Sequence, residues 1–105
     1  MKQICLSIDQ MKHLEELGLD TSDASPAYIL DDILEKFPRV IEYAGYPYCY
    51  FCLDHYGQDK WDANYTYDDS DPEQVAETVS DTPLKACYKL LCWLLENGYI
   101  KTNKQ

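Results

Sequence analysis

Cys49 and Cys52 lie within the stretch YPYCYFCLDHYG at 46–57, and His55 follows three residues later. Two thiolates and an imidazole are zinc ligands. A C-x-x-C pair at a helix N-terminus is also the arrangement of thiol–disulfide chemistry, because the helix end lowers the thiol pKa. Either chemistry requires the two sulfurs to converge, so the element that carries them decides the matter.

That element reads as a β-strand. Residues 60–68, KWDANYTYD, alternate cleanly, with Trp61, Ala63, Tyr65 and Tyr67 against Asp62, Asn64, Thr66 and Asp68. Tyr56-Gly-Gln-Asp59 between the two runs is turn chemistry. A three-residue loop, Gly57-Gln-Asp59, brings Cys49, Phe51 and Leu53 onto the same face as Trp61, Ala63 and Tyr65. A two-residue turn would place Phe51 and Leu53 among Asp62 and Asn64 instead. Since a slip of one residue exchanges the faces, the odd loop is expected. Cys49 and Cys52 then point to opposite faces, roughly 10 Å apart along the strand. They are expected to be structural cysteines, Cys49 in the core and Cys52 a half-exposed thiol, with no metal and no cofactor.

The remaining candidates are weaker. Cys87 and Cys92 lie about 140° apart around the last helix and do not converge. His55 is close in sequence to Asp54 and Asp59, but no nucleophile accompanies it. The run Asp68-Asp-Ser-Asp-Pro-Glu73 lacks the EF-hand spacing and its turn glycine. There is no glycine-rich phosphate loop and no G-x-S-x-G or H-E-x-x-H motif. The chain is therefore expected not to be an enzyme.

Four further segments frame the hairpin. Ser7-Ile-Asp-Gln10 is a capping box that opens a helix over 8–17, with Ile8, Met11, Leu14 and Leu17 as its apolar stripe and Gly18 as its stop. Ser25-Pro26 reads as a second helix start, with Ile29, Leu30, Ile33, Leu34 and Phe37 buried. Pro38 ends or kinks it, and Val40, Ile41 and Tyr43 suggest one more turn. Residues 74–80 fit either a short helix or a third strand, and the strand is favoured because a lone hairpin is marginal. Thr82-Pro83 opens a final helix so apolar that it must be covered on more than one side. The expected fold is a single α+β domain over 1–105: two N-terminal helices, an antiparallel hairpin or three-stranded meander, and a C-terminal helix packed on the sheet.

Net charge is −10 over 105 residues, and between 54 and 81 nine acids face one base, Lys60. Such a chain has no cationic patch to displace counterions, so direct nucleic-acid binding is not expected. No apolar run has the roughly 18 residues of a membrane span, and the N-terminus lacks a signal-peptide core. An odd number of cysteines fits a reducing, cytoplasmic setting. The ten tyrosines are the unusual feature. On the sheet face away from Phe51, Tyr46, Tyr48 and Tyr50 are expected in a row, followed by Cys52 and Asp54. These five residues are the candidate partner-binding site, for another protein or a second copy of the chain, unless the N-terminal helix lies over them. Two other classes are a small zinc or thiol protein using Cys49, Cys52 and His55, and an acidic mimic of nucleic acid.

Two segments, LSIDQMKHLEELGLDTS at 6–22 and TPLKACYKLLCWLLENGYI at 82–100, resemble small proteins encoded by phages and mobile elements of gut Bacteroidetes-type bacteria. Those proteins share a short DILE helix followed by proline, a tyrosine-rich hairpin with a tryptophan, and a closing helix ending in ENG. The resemblance spans most of the chain and rests on caps and core positions. It implies the fold and an origin in a mobile element, and it carries over no functional residue. Lys85 stands where an acid is more usual.

Overall fold

The computed structural model describes residues 3–43, 45–67 and 73–102. Its elements run α1 (Ile8–Glu16), α2 (Leu30–Lys36), β1 (Val40–Tyr43), β2 (Tyr46–Tyr56), β3 (Lys60–Tyr67), β4 (Glu73–Ser80) and α3 (Pro83–Glu96). The strands form one antiparallel sheet in the order β1-β2-β3-β4, with α3 packed across β3 and β4 and α2 packed on α3. The fold is α+β, with four strands where two or three are expected. The polar run at 68–72 and Lys104 lie outside the described residues.

Local chemistry sets the helix ends. The Gln10 amide donates to Ser7 Oγ at 3.1 Å and the Ser7 amide donates to Gln10 Oε1 at 2.9 Å, the reciprocal pair that starts α1. Thr82 Oγ1 accepts from the Lys85 amide at 3.1 Å and starts α3 behind Pro83. Gly18 closes α1 at φ +101°, and a Cβ there would sit 2.7 Å from Thr102 Cβ, so both backbone and space demand glycine.

Three expectations need correction. Ile8 is not part of the buried stripe of α1; it is 75% exposed, while Met11 and Leu14 are buried. The second helix begins at Leu30 and not at Pro26, and Ile29, expected in its buried stripe, is instead its N-cap and 44% exposed, because it lies just outside the helical repeat. Tyr28 is buried just before it, its hydroxyl donating to the Asp23 carboxylate, and Asp32 caps the new start by accepting from the Ile29 amide at 2.9 Å. Burial of one large ring outweighs the proline preference. Lastly, Val40–Tyr43 is a strand and not a helical turn. Pro38 forces Phe37 into an extended conformation, and the β-branched pair Val40-Ile41 continues it along β2.

The hairpin register is the expected one. Phe51 faces Tyr65, Leu53 faces Ala63 and His55 faces Trp61, with Tyr56 and Lys60 flanking the three-residue turn. The segment at 74–80 is strand, as favoured, within β4. Cys49, Ala63 and Tyr65 are each fully buried beneath the helices. Phe37, at the end of α2, meets Phe51 with ring centroids 4.8 Å apart. The Tyr65 hydroxyl donates to the Pro38 carbonyl at 2.6 Å. Thr78 Oγ1 donates to the carbonyls of Ala63 at 3.1 Å and Ala86 at 2.8 Å, tying β3, β4 and α3 together. No helix among the described residues is long and apolar enough to cross a membrane.

Candidate interaction surface

Strand alternation sends the even-numbered residues of β2 away from α3. Tyr48 and Tyr50 reach solvent there, 65% and 41% exposed. Cys52 and Asp54 follow along the same face and are half-buried. Tyr46 does not join this row. The strand register is irregular between Ile41 and Tyr43, beside Tyr46, and the Tyr46 ring packs on Tyr67 at 4.1 Å. Tyr67 faces Cys49, so this pair belongs to the buried side. Of the five candidate residues, Tyr48, Tyr50, Cys52 and Asp54 share the open face and Tyr46 leaves it. The N-terminal helix does not lie over the tyrosines.

The floor beside them is polar and buried. Asn64, opposite Cys52, has no exposure, and Asp62, opposite Asp54, has 2%. Like charges directly across a strand pair repel. Here the Asn64 side-chain amide relieves the repulsion by donating to Asp62 Oδ1 at 3.0 Å and to Asp54 Oδ2 at 3.2 Å. Thr66 Oγ1 donates to Asn64 Oδ1 at 2.6 Å, so the amide is used at both ends. Glu77, the β4 neighbour of Asn64, shares a hydrogen bond with the Asp62 carboxylate. That bond, partial burial and the Asp62 charge raise the Glu77 carboxyl above its ordinary value, opposed by Lys60. The carboxylates of Asp54 and Asp62 converge on one amide, and Glu77 joins them through Asp62.

Sequence reading missed Asp62, Asn64, Thr66 and Glu77 as parts of the site. The signal was present: once the hairpin register is fixed, Asp54 must oppose Asp62 and Cys52 must oppose Asn64. What alternation alone does not reveal is that Asp62 and Asn64 are buried within this polar network.

All five cysteines are free. Cys49 and Cys52 lie on opposite faces of β2, as the register requires, and His55 sits on the Cys49 side. Among the described residues, no three His, Cys, Asp or Glu side chains are grouped so as to hold a metal ion. Burial raises the thiol pKa of Cys49 and Cys92 and pushes Cys87 up to about 12, the opposite of what a reactive thiolate needs. The open face offers other chemistry: two projecting phenol rings beside a carboxylate cluster, an environment that attracts cations.

No protein-family model, curated protein or solved structure matches the chain.

Proposed function

We propose that the chain is a non-enzymatic accessory protein of a phage or other mobile element, acting in the cytoplasm by holding a basic protein partner on the open face of its sheet. The observation that carries this reading is the exposure of Tyr48 and Tyr50 on one face of β2, opposite the fully buried Cys49 and the half-buried Phe51 and Leu53. Rigid aromatic side chains at a surface lose little entropy on binding and commonly anchor interfaces. The accessible carboxylates of Asp54 and Glu77 on the same face select for lysine and arginine on the partner, and a net charge of −10 draws such a partner in. The resemblance of the 6–22 and 82–100 segments supports the mobile-element origin, and five free thiols support a reducing compartment.

The test compares immobilised wild-type protein with the double variant Tyr48→Ser, Tyr50→Ser in capture from lysate of the native host, at low and high salt. The expected result is one basic protein, retained by wild type, lost with the variant and weakened by salt. Unchanged capture by a variant with unaltered circular dichroism overturns the reading. So does a wild-type dimer in sedimentation that the variant dissociates, because the tyrosine face then serves a second copy of the chain.

A further inference from the structure

A second site lies at the other side of the sheet, where the β2–β3 turn meets the beginnings of α2 and α3. A cavity of about 430 Å³ opens there, within the range of sites that take small groups. His55 and Trp61 line one wall. Their rings are stacked, with centroids 4.1 Å apart and planes 7° from parallel. Ile4 and Leu84 supply apolar surface, and Asp59 and Asp81 supply two carboxylates. Among the described residues, no lysine or arginine lines the cavity.

We infer that this cavity binds an arginine side chain presented by a polypeptide, the guanidinium lying against the His55–Trp61 stack and hydrogen-bonding to Asp59 and Asp81. The combination selects this group. A planar, weakly hydrated cation stacks on aromatic rings and pairs with carboxylates through a fork of N–H donors. An anion is excluded: the α3 N-terminus would favour one, but the Asp81 carboxylate already stands beside it. Lys85 bonds keep Asp81 ionised by lowering its carboxyl pKa. The ion pair itself, 3.4 Å long with the side chains of Lys85 and Asp81 41% and 61% exposed, is weak enough to yield to a ligand cation. Ile4 is 79% exposed and so free to cover the methylene stem of an incoming side chain. This site lies on the helix-bearing side of the sheet, away from Tyr48 and Tyr50, and stands or falls independently of the tyrosine face.

The experiment titrates the whole chain with Nα-acetyl-arginine amide and follows the Trp61 indole N–H by two-dimensional NMR. Nα-acetyl-citrulline amide, the neutral isostere, serves as comparison. A saturable shift is expected with a Kd on the order of a millimolar for so small a ligand. Citrulline should bind about tenfold more weakly or worse, since charge-assisted hydrogen bonds are lost. Asp59→Asn and Asp81→Asn should each weaken arginine binding by about threefold. The Tyr48→Ser, Tyr50→Ser variant should bind as wild type. No saturable shift at Trp61, equal binding of citrulline, or a shift centred on Tyr48 and Tyr50 overturns the proposal. The citrulline comparison uses wild-type protein alone, so it decides even if a variant fails to fold.

Discussion

The two faces of the sheet are made by alternate residues of the same strands, yet they solve burial in different ways. Under α3, Cys49, Ala63 and Tyr65 reach zero exposure by packing against helices. On the open side, Asn64 also reaches zero, but by hydrogen bonds to Asp54, Asp62 and Thr66. The first face loses water through apolar contact, which is non-directional and forgiving of shape. The second loses it through a polar network, in which every member must be satisfied or the desolvation cost goes unmet. A sheet can therefore leave one face open and still have a buried polar floor, from which Tyr48 and Tyr50 stand out.

This contrast makes quantitative demands. The largest effect belongs to the covered side: Leu91→Ala, at a fully buried position of α3, should lose about 2–5 kcal/mol in urea denaturation. Asn64→Ala comes next. It strands two facing carboxylates and should cost about 1–3 kcal/mol by the same measurement, although no apolar core is touched. If Asn64→Ala proves neutral, the open face is not held by its network.

A smaller effect concerns pH. Glu77 has a raised carboxyl pKa in the folded chain, because of its hydrogen bond to Asp62, burial and the Asp62 charge. Between the ordinary value of 4.5 and that raised value, the folded state holds more protons than the unfolded state. Stability from this group is thus full below pH 4.5 and declines as pH rises through the window. Asp20, Asp23 and Asp81 behave oppositely, their carboxyls lowered by hydrogen bonds to Ser22, Lys36 and Lys85 respectively. Their contribution is present above 3.8 and is lost only as pH falls further. Thermal melts should therefore show the wild type gaining stability from neutral pH toward 4.5, and Glu77→Gln should reduce that gain. Smallest of all, Tyr48→Ser with Tyr50→Ser should change stability by only about 0.5 kcal/mol, since neither ring is part of the core. A larger loss would make the tyrosines structural and remove the reason to read them as a contact surface.

Much of this was legible in the chain. The alternation of Trp61, Ala63, Tyr65 and Tyr67 demanded an odd turn, and that turn fixed every partner of β2 on β3. From it followed the separation of Cys49 from Cys52 and the outward placement of Tyr48 and Tyr50. The caps at Ser7 and Thr82 were equally readable, because a helix start is decided by three or four adjacent residues.

Other features depended on contacts distant in sequence. Val40-Ile41 has no period of its own; it became strand because the edge of β2 offered unpaired backbone groups. Tyr28 delayed α2 by entering the core, and Tyr46 turned from its row to lie on Tyr67, twenty-one residues away. Asp62 and Asn64 read as ordinary solvent-facing residues until the neighbouring strands closed around them. Sequence by itself settled what repeats over two or four residues, because side-chain direction follows backbone geometry. Tertiary structure alone settled how deeply each side chain is buried, because burial depends on which distant segments come to lie beside it.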